Sequence, residues 1–240
     1  MSRQSEFTIS CQQCGLNDLC LPHTLTNEEI EKVDSIIKRR KPLKRGDYLY
    51  NTGDEFSSIY AVRSGSIKAF TIDTEGEEQV VGFYLPGELL GLDAIDSKVH
   101  LSTAKSMETT SICEIPFDSI EDLSATIRNL QVHMYRLLSR EIRVDQELQM
   151  LLAKKSAEER ISAFLMNLSL RYQQRRLSST HFRLPMARSD IGNYLGLAVE
   201  TVSRTLTRLQ TTGVLMVEGK EVEILDLNAL CNIAHSRTVA

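Results

Sequence analysis

The sequence predicts an α+β chain: a module of short antiparallel strands, one long helix, and a C-terminal winged helix-turn-helix. Three observations predict it. Between Pro42 and Phe117, short β-rich runs are broken at regular intervals by turn signals, the pattern of an antiparallel sandwich or barrel. From Ile127 to Ala153 a helical pattern runs unbroken with two apolar stripes. From Ser189 to Leu225, two helical segments joined by a tight turn are followed by a hairpin.

Composition bounds the class. The 240 residues are 42% hydrophobic and 25% charged, ordinary for a globular protein with a sizeable core. No run approaches the ~18 apolar residues of a membrane span, and the opening MSRQSEF lacks the apolar stretch of a signal peptide. Five cysteines, an odd number, argue against a closed disulfide framework and for a reducing, cytoplasmic setting. The net charge of -4 is unevenly spread. Residues 154–212 hold ten Lys/Arg against four Asp/Glu, a balance of +6 that leaves -10 for the remainder. A basic module on an acidic body suits a polyanion partner for that module alone; a solvated helix face is the plainer alternative.

At the N-terminus, Cys11, Cys14 and Cys20 form a C-x2-C-x5-C pattern. Closely spaced thiols on an irregular segment can wrap one metal centre, because thiolates are soft ligands for zinc or iron–sulfur clusters. A four-ligand site needs one more residue, and both Cys113 and Cys231 are available. Free thiols, buried or reactive, are the other reading. A helix is expected over Leu25–Arg40, capped by Thr26 or Asn27, with Glu28, Glu29 and Glu31 at its positive end. Strands are expected at 48–50, 58–62, 66–70, 79–84 and 111–115, with turns near Gly46, Gly53, Gly65, Gly76 and Gly87.

The long helix would span ~40 Å. Leu130, Met134, Leu137, Val144, Leu148 and Leu151 form one stripe. Tyr135, Leu138, Ile142, Asp145, Gln149 and Leu152 form the other, in the 3-4-3-4-3 rhythm of a coiled coil. Such a helix can pack on its own domain and on a partner helix, or be buried twice within one chain. In a parallel pair, two Asp145 carboxylates would face each other and oppose association. A marginal dimer is therefore expected, and Asp145→Ala should tighten it.

Helices are then expected around 157–172 and 187–197. A second helix follows over 197–210, stopped by Gly213, and a hairpin over 214–225 turns at Glu218-Gly219-Lys220. Ile191, Leu195, Val202 and Leu206 are spaced to hold the two helices together. Glu200, Ser203 and Arg204 then face outward near the start of the second helix, where this motif reads base edges in double-stranded DNA. Arg can bond guanine bidentately, and Glu can accept from cytosine. An intrahelical Glu200–Arg204 pair is the structural alternative.

In this order of parts, with SerIleCysGluIlePro at 111–116 and ValGluThrValSerArg at 199–204, nearly the whole chain resembles the cyclic-AMP receptor protein/FNR superfamily of bacterial transcription regulators. Within it, the cysteine pattern together with the recognition helix resembles the oxygen-sensing branch. The resemblance implies a cluster-binding segment (1–24), a β-roll sensor domain (25–126), a dimerisation helix (127–153) and a winged helix-turn-helix DNA-binding domain (154–240). It implies a [4Fe–4S] cluster on Cys11, Cys14, Cys20 and Cys113, and a homodimer when the cluster is loaded. That dimer would bind inverted repeats of TTGAT half-sites, and oxygen would destroy the cluster and return monomers. RNA polymerase contacts are implied on surface loops, including the turn at 74–78. Cys231, beside Leu227, Leu230 and Ile233, is then expected to be a buried thiol.

Departures from the cyclic-nucleotide binders matter. Gly91 is followed by Leu92, and His100-Leu101 stands roughly where their Arg-Ser pair would be, so no cyclic nucleotide is expected. Val199 and Ser203 replace the Arg and Gly of the cyclic-AMP branch, so half-site preference should follow the oxygen-sensing branch. Gly15, after Cys14, is expected to leave the cluster edge open. A structural zinc site on the same thiols is the rival reading. An enzyme is not expected: no paired carboxylates, Ser/His/Asp set or phosphate loop stands at useful spacing, and the five histidines are scattered.

Overall fold

The computed structural model describes residues 9–234. They divide into two compact units. One contains residues up to 71 together with 83–140; the other contains 72–82 together with the chain from 141 onward.

In the first unit, helix α1 (Asn27–Ile36) begins at a capping box. The Thr26 hydroxyl accepts from the Glu29 N–H, and the Glu29 carboxylate accepts from the Thr26 N–H. The helix is shorter than the expected Leu25–Arg40, because Lys38–Arg39 leaves it to become strand β1. The strands β2 (Tyr48–Tyr50), β3 (Ser58–Ser64), β4 (Ile67–Ile72), β5 (Glu78–Tyr84, of which 78–82 fall in the other unit), β6 (Leu89–Leu90), β7 (Thr103–Ser106) and β8 (Ser111–Pro116) follow. They form two four-stranded sheets, ordered β1-β8-β3-β6 and β2-β7-β4-β5.

Strand β3 shows how the unit is layered. Tyr60 and Val62 point into a core shared with Tyr50, Ile67, Leu90, Ala104 and Ile112, which come from both sheets. Ile59 and Ala61, on the opposite face, join a second core with α1, helix α2 (Phe117–Thr126) and helix α3 (Arg128–Lys154). A strand buried on both faces reads as a continuous apolar run, as Ile59–Val62 does. The turn before β4 needs glycine. Gly65 has φ +79°, and a Cβ there would stand 2.4 Å from the Thr109 carbonyl oxygen.

Helix α3 has two different halves. Leu130, His133 and Leu137 are buried, whereas most of the helix beyond Leu137 is exposed. On the outer stripe, Tyr135 and Ile142 are 62% and 60% exposed, Asp145 and Gln149 are exposed, and Leu138 and Leu152 are partly covered.

The second unit continues with helix α4 (Ala157–Gln174), strand β9 (His181–Arg183), helices α5 (Arg188–Leu195) and α6 (Val199–Thr211), strands β10 (Leu215–Glu218) and β11 (Glu221–Ile224), and helix α7 (Leu227–Ala234). The hairpin closes at Gly219-Lys220, and β9 adds a third strand through Phe182 opposite Val222. Among the described residues no helix is long and apolar enough to cross a membrane.

Candidate functional site

The cysteine segment is a loop with one turn of 3-10 helix at Cys11–Gln13, held by a few specific bonds. The Cys11 N–H donates to the Asp34 carboxylate at 2.8 Å, and Arg39 pairs with that same carboxylate. Gln12 donates to Glu31 at 3.1 Å. A turn of chain closes through Cys20 N–H to the Leu16 carbonyl at 3.0 Å. Leu16 and Leu19 then sit against Gly87, where a Cβ would stand 2.9 Å from the Leu19 Cβ. Leu21 is fully buried in the helix-facing core.

Cys113 comes from β8. Alternation places Ile112 in the inter-sheet core and sends Cys113 and Ile115 to the face that carries Cys20 and Leu21. Cys20 and Cys113 lie near enough to each other, and each to Cys11 and Cys14, to act electrostatically. None of the five cysteines is in a disulfide. Burial pushes the Cys11 thiol up, helped by its hydrogen bond to Asp34. Burial likewise pushes Cys20 up to about 12, with a small offset from the Leu21 N–H. Cys113 is raised by burial against the pull of Arg39 and Arg63. Protons on these thiols would have to leave before any metal bound.

Among the described residues no three His, Cys, Asp or Glu side chains form a single-ion site. A four-iron cluster makes a different demand, one thiolate to each iron, so its ligands stand wider apart than those of a lone ion. Four free thiols gathered from the segment and β8 suit that donor set. Cys231 belongs to the other unit and is only half-buried, a correction to the buried thiol expected of it. Helix α7 buries Leu230 and Ala234 along one face, and Cys231 falls on the flank of that face. A Cβ added at Gly15 would meet nothing within 4 Å, which accords with an open edge beside Cys14.

In the second unit, Ile191 and Leu195 of α5 and Val202 and Leu206 of α6 are buried as expected, each contributing ~1.5–3 kcal/mol by leaving water. The close crossing depends on Gly192, where a Cβ would stand 2.6 Å from the Leu197 carbonyl oxygen. Glu200 and Arg204 are exposed and Ser203 partly so, and with Val199 they line one shallow surface depression. Arg204 donates to Thr201 at 3.5 Å, and no ion pair joins it to Glu200 among the described residues.

Two arginines that the sequence reading counted only as charge have defined places. Arg188 donates to the Ser203 hydroxyl at 3.3 Å, bringing a second guanidinium beside the depression lined by Glu200, Ser203 and Arg204. Arg160 donates to the carbonyls of Leu152 (2.8 Å), Lys155 (2.9 Å) and Leu195 (2.9 Å). One side chain thus satisfies the carbonyls left over at the ends of α3 and α5.

Inside the β-roll, His100 is 1% exposed and stacks on Tyr50 at 3.7 Å with an 11° interplanar angle. Phe56 and Tyr60 stand around it at 5.8 and 6.3 Å, and its Cε1 lies 3.4 Å from where a Gly91 Cβ would stand. Leu101, its neighbour in the position expected for the nucleotide clamp, is exposed.

These parts define a class: a β-roll carrying a cysteine segment, followed by a helix-turn-helix that presents polar side chains, has the build of a DNA-binding transcription regulator. Residues 40–126 match the cyclic nucleotide-binding domain family and residues 159–233 the Crp-like helix-turn-helix domain family. The chain is 51% identical over 233 residues to the fumarate and nitrate reduction regulatory protein of Escherichia coli (strain K12), covering 97% of this chain and 93% of that one. It is 51% identical over 224 residues to the transcriptional activator protein FnrA of Stutzerimonas stutzeri, covering 93% and 92%. The solved structure of FixK2 from Bradyrhizobium japonicum matches with a TM-score of 0.76 at 27% identity, covering 82% of this chain and 97% of that one. The chain belongs to the cyclic-AMP receptor protein/FNR superfamily, with FNR- and Anr-type regulators as half-identical relatives.

Proposed function

We propose that this chain is an oxygen-responsive transcription regulator of the bacterial cytoplasm, in which Cys11, Cys14, Cys20 and Cys113 would hold a [4Fe–4S] cluster. The observation that carries the reading is the gathering of four thiols outside any disulfide from two separate parts of the chain, with Cys20 and Cys113 packed on one core and Cys231 left in the other unit. Bound there, such a cluster supplies an oxygen-labile iron–sulfur centre.

The remaining steps belong to the chain itself. Asp34 and Arg39 hold the Cys11 end of the segment, while Gly87 and the buried Leu21 seat its Cys20 end. The cluster-loaded chain pairs through the exposed stripe of α3, Tyr135, Leu138, Ile142, Asp145, Gln149 and Leu152. Asp145 keeps the pair marginal, because two carboxylates in one seam repel. Pairing sets two α6 helices about one DNA turn apart. Glu200, Ser203 and Arg204 then read TTGAT-type half-sites of an inverted repeat, with Arg188 supporting Ser203. Activation requires RNA polymerase, contacted through surface loops such as the turn at 74–78. No cyclic nucleotide is expected to bind: the His100 ring stacks in the interior, and Leu92 and His100-Leu101 stand where the nucleotide binders carry their Glu and Arg-Ser.

The test is the visible spectrum of anaerobically purified protein, compared with Cys113→Ser and Cys231→Ser. The expected result is a brown protein bleached by air, a colourless Cys113→Ser variant and a Cys231→Ser variant that keeps the colour. A colourless, zinc-containing wild type would overturn the reading.

A further inference from the structure

The route from the cysteine segment to the pairing helix has a specific joint. His133 lies on α3 with 4% exposure, and its Nε2 stands 3.2 Å from the Cys20 carbonyl oxygen. A carbonyl only accepts, so Nε2–H donates and Nδ1 carries no proton in the neutral ring. That Nδ1 is buried with no hydrogen-bond partner among the described residues. The His23 ring, three residues after Cys20, packs beside His133 at 5.4 Å and 51°. Leu21 fills the same core as Leu130 and Leu137, which lie one turn either side of His133 on the helix.

An imidazole is a poor filler for this place. A leucine would occupy similar space without leaving a buried nitrogen unpaired. What the histidine adds is its bond to Cys20, whose side chain is a proposed cluster ligand and whose carbonyl reaches the helix. We propose that His133 is a positioning residue, the joint through which the Cys20 end of the segment sets the placement of α3 for pairing. The inference rests on the proposed cluster site and names how its state reaches the dimer stripe. His133 and Tyr135 are about 200° apart around the helix, so a pull on the inward face at His133 turns the outward face at Tyr135.

The test uses the full chain, loaded anaerobically with iron and sulfide, in wild-type, His133→Leu and His133→Gln forms. Cluster content is read from the visible spectrum, and dimerisation from sedimentation of the loaded and cluster-free forms. The leucine keeps the volume and removes the donor; the glutamine amide can donate from a similar reach. The expected result is that all three take up the cluster and that loaded His133→Leu dimerises about tenfold more weakly, on the scale of one buried hydrogen bond. His133→Gln should recover most of that loss, and the cluster-free forms should be equal. Wild-type dimerisation in cluster-loaded His133→Leu would overturn this inference alone. Equal impairment in Leu and Gln would overturn it too, because packing and not the bond would then be at work. A wild type that takes up no cluster would overturn the cluster reading and this inference with it.

Discussion

The cysteine segment and the recognition helix are built in opposite ways. Helix α6 sits on a dry contact of Ile191, Leu195, Val202 and Leu206, closed by a glycine that permits near-contact of the backbone, and its polar residues are presented before any partner arrives. The cysteine segment has one 3-10 turn, a bond to Asp34, a niche at Gly87 and an anchor at Leu21. The second helix of the helix-turn-helix is preformed and the cysteine segment is sparsely supported. Regulation in this account therefore acts by bringing two finished readers together, while the fold of each reader stays as it is.

The sharpest way to break that comparison is to damage the reader alone. Arg204→Ala should cost ~1–3 kcal/mol, or about 5- to 150-fold, in affinity for the inverted repeat. Fluorescence anisotropy measures the loss, and the visible spectrum and sedimentation of the variant should match wild type. A change in cluster content would mean that the two regions are not separable in this way.

Damage to the link between them comes next. Asp145→Ala should tighten dimerisation of the cluster-free chain about fivefold, as expected for removing one like-charge contact at a partly solvated seam. Analytical ultracentrifugation measures it, and unchanged behaviour would remove Asp145 as the brake.

The smallest expected effect lies in the β-roll interior. Burial holds the His100 imidazole below its ordinary range, against the pull of Asp93 and Asp54. Its folded pKa is thus below the unfolded value of ~6.5, so its contribution to stability is whole above that pH and falls as pH drops through and below it. Thermal melting from about pH 7.5 to 5.5 should show a loss in wild type that is smaller in His100→Phe, which keeps the ring and removes the titration. Parallel profiles would mean that His100 meets protons as freely folded as unfolded.

Much of the architecture was legible because it is locally encoded. The regularly spaced turns marked the strands, the 3-4-3-4-3 stripe marked the long helix, and the two helices with their hairpin marked the winged motif. Elements whose partners are distant in sequence were missed. Lys38–Arg39, Leu89–Leu90 and Thr103–Ser106 carry little apolar alternation of their own and become strands by pairing with β8, β3 and β4. His181–Arg183 is a strand for the same reason, through β11. Helix α2 was missed although Phe117, Ile120 and Leu123 recur every third residue, because its ten residues lie between two stronger patterns. Helix α7 was also missed; its Leu227, Leu230 and Ile233 were read only as an apolar setting for Cys231.

The sites divide in the same way. Glu200, Ser203 and Arg204 could be placed from one helix, but the company of Cys113 depends on which face of β8 it occupies. His133 was one of five scattered histidines in the sequence. Its bond to Cys20 spans 113 residues and no local pattern announces it. Arg160 gave no signal beyond its charge, because the carbonyls it satisfies belong to helix ends that exist only in the fold.

The central claim is that the cysteine site governs pairing while the readers stay folded. Anaerobically prepared wild-type chain should be followed through a stepwise addition of air by visible absorbance, sedimentation and circular dichroism together. The account predicts loss of the iron–sulfur absorbance in step with conversion of dimer to monomer, with helix content nearly constant. A dimer that persists after bleaching, or a protein colourless from the start, would contradict it.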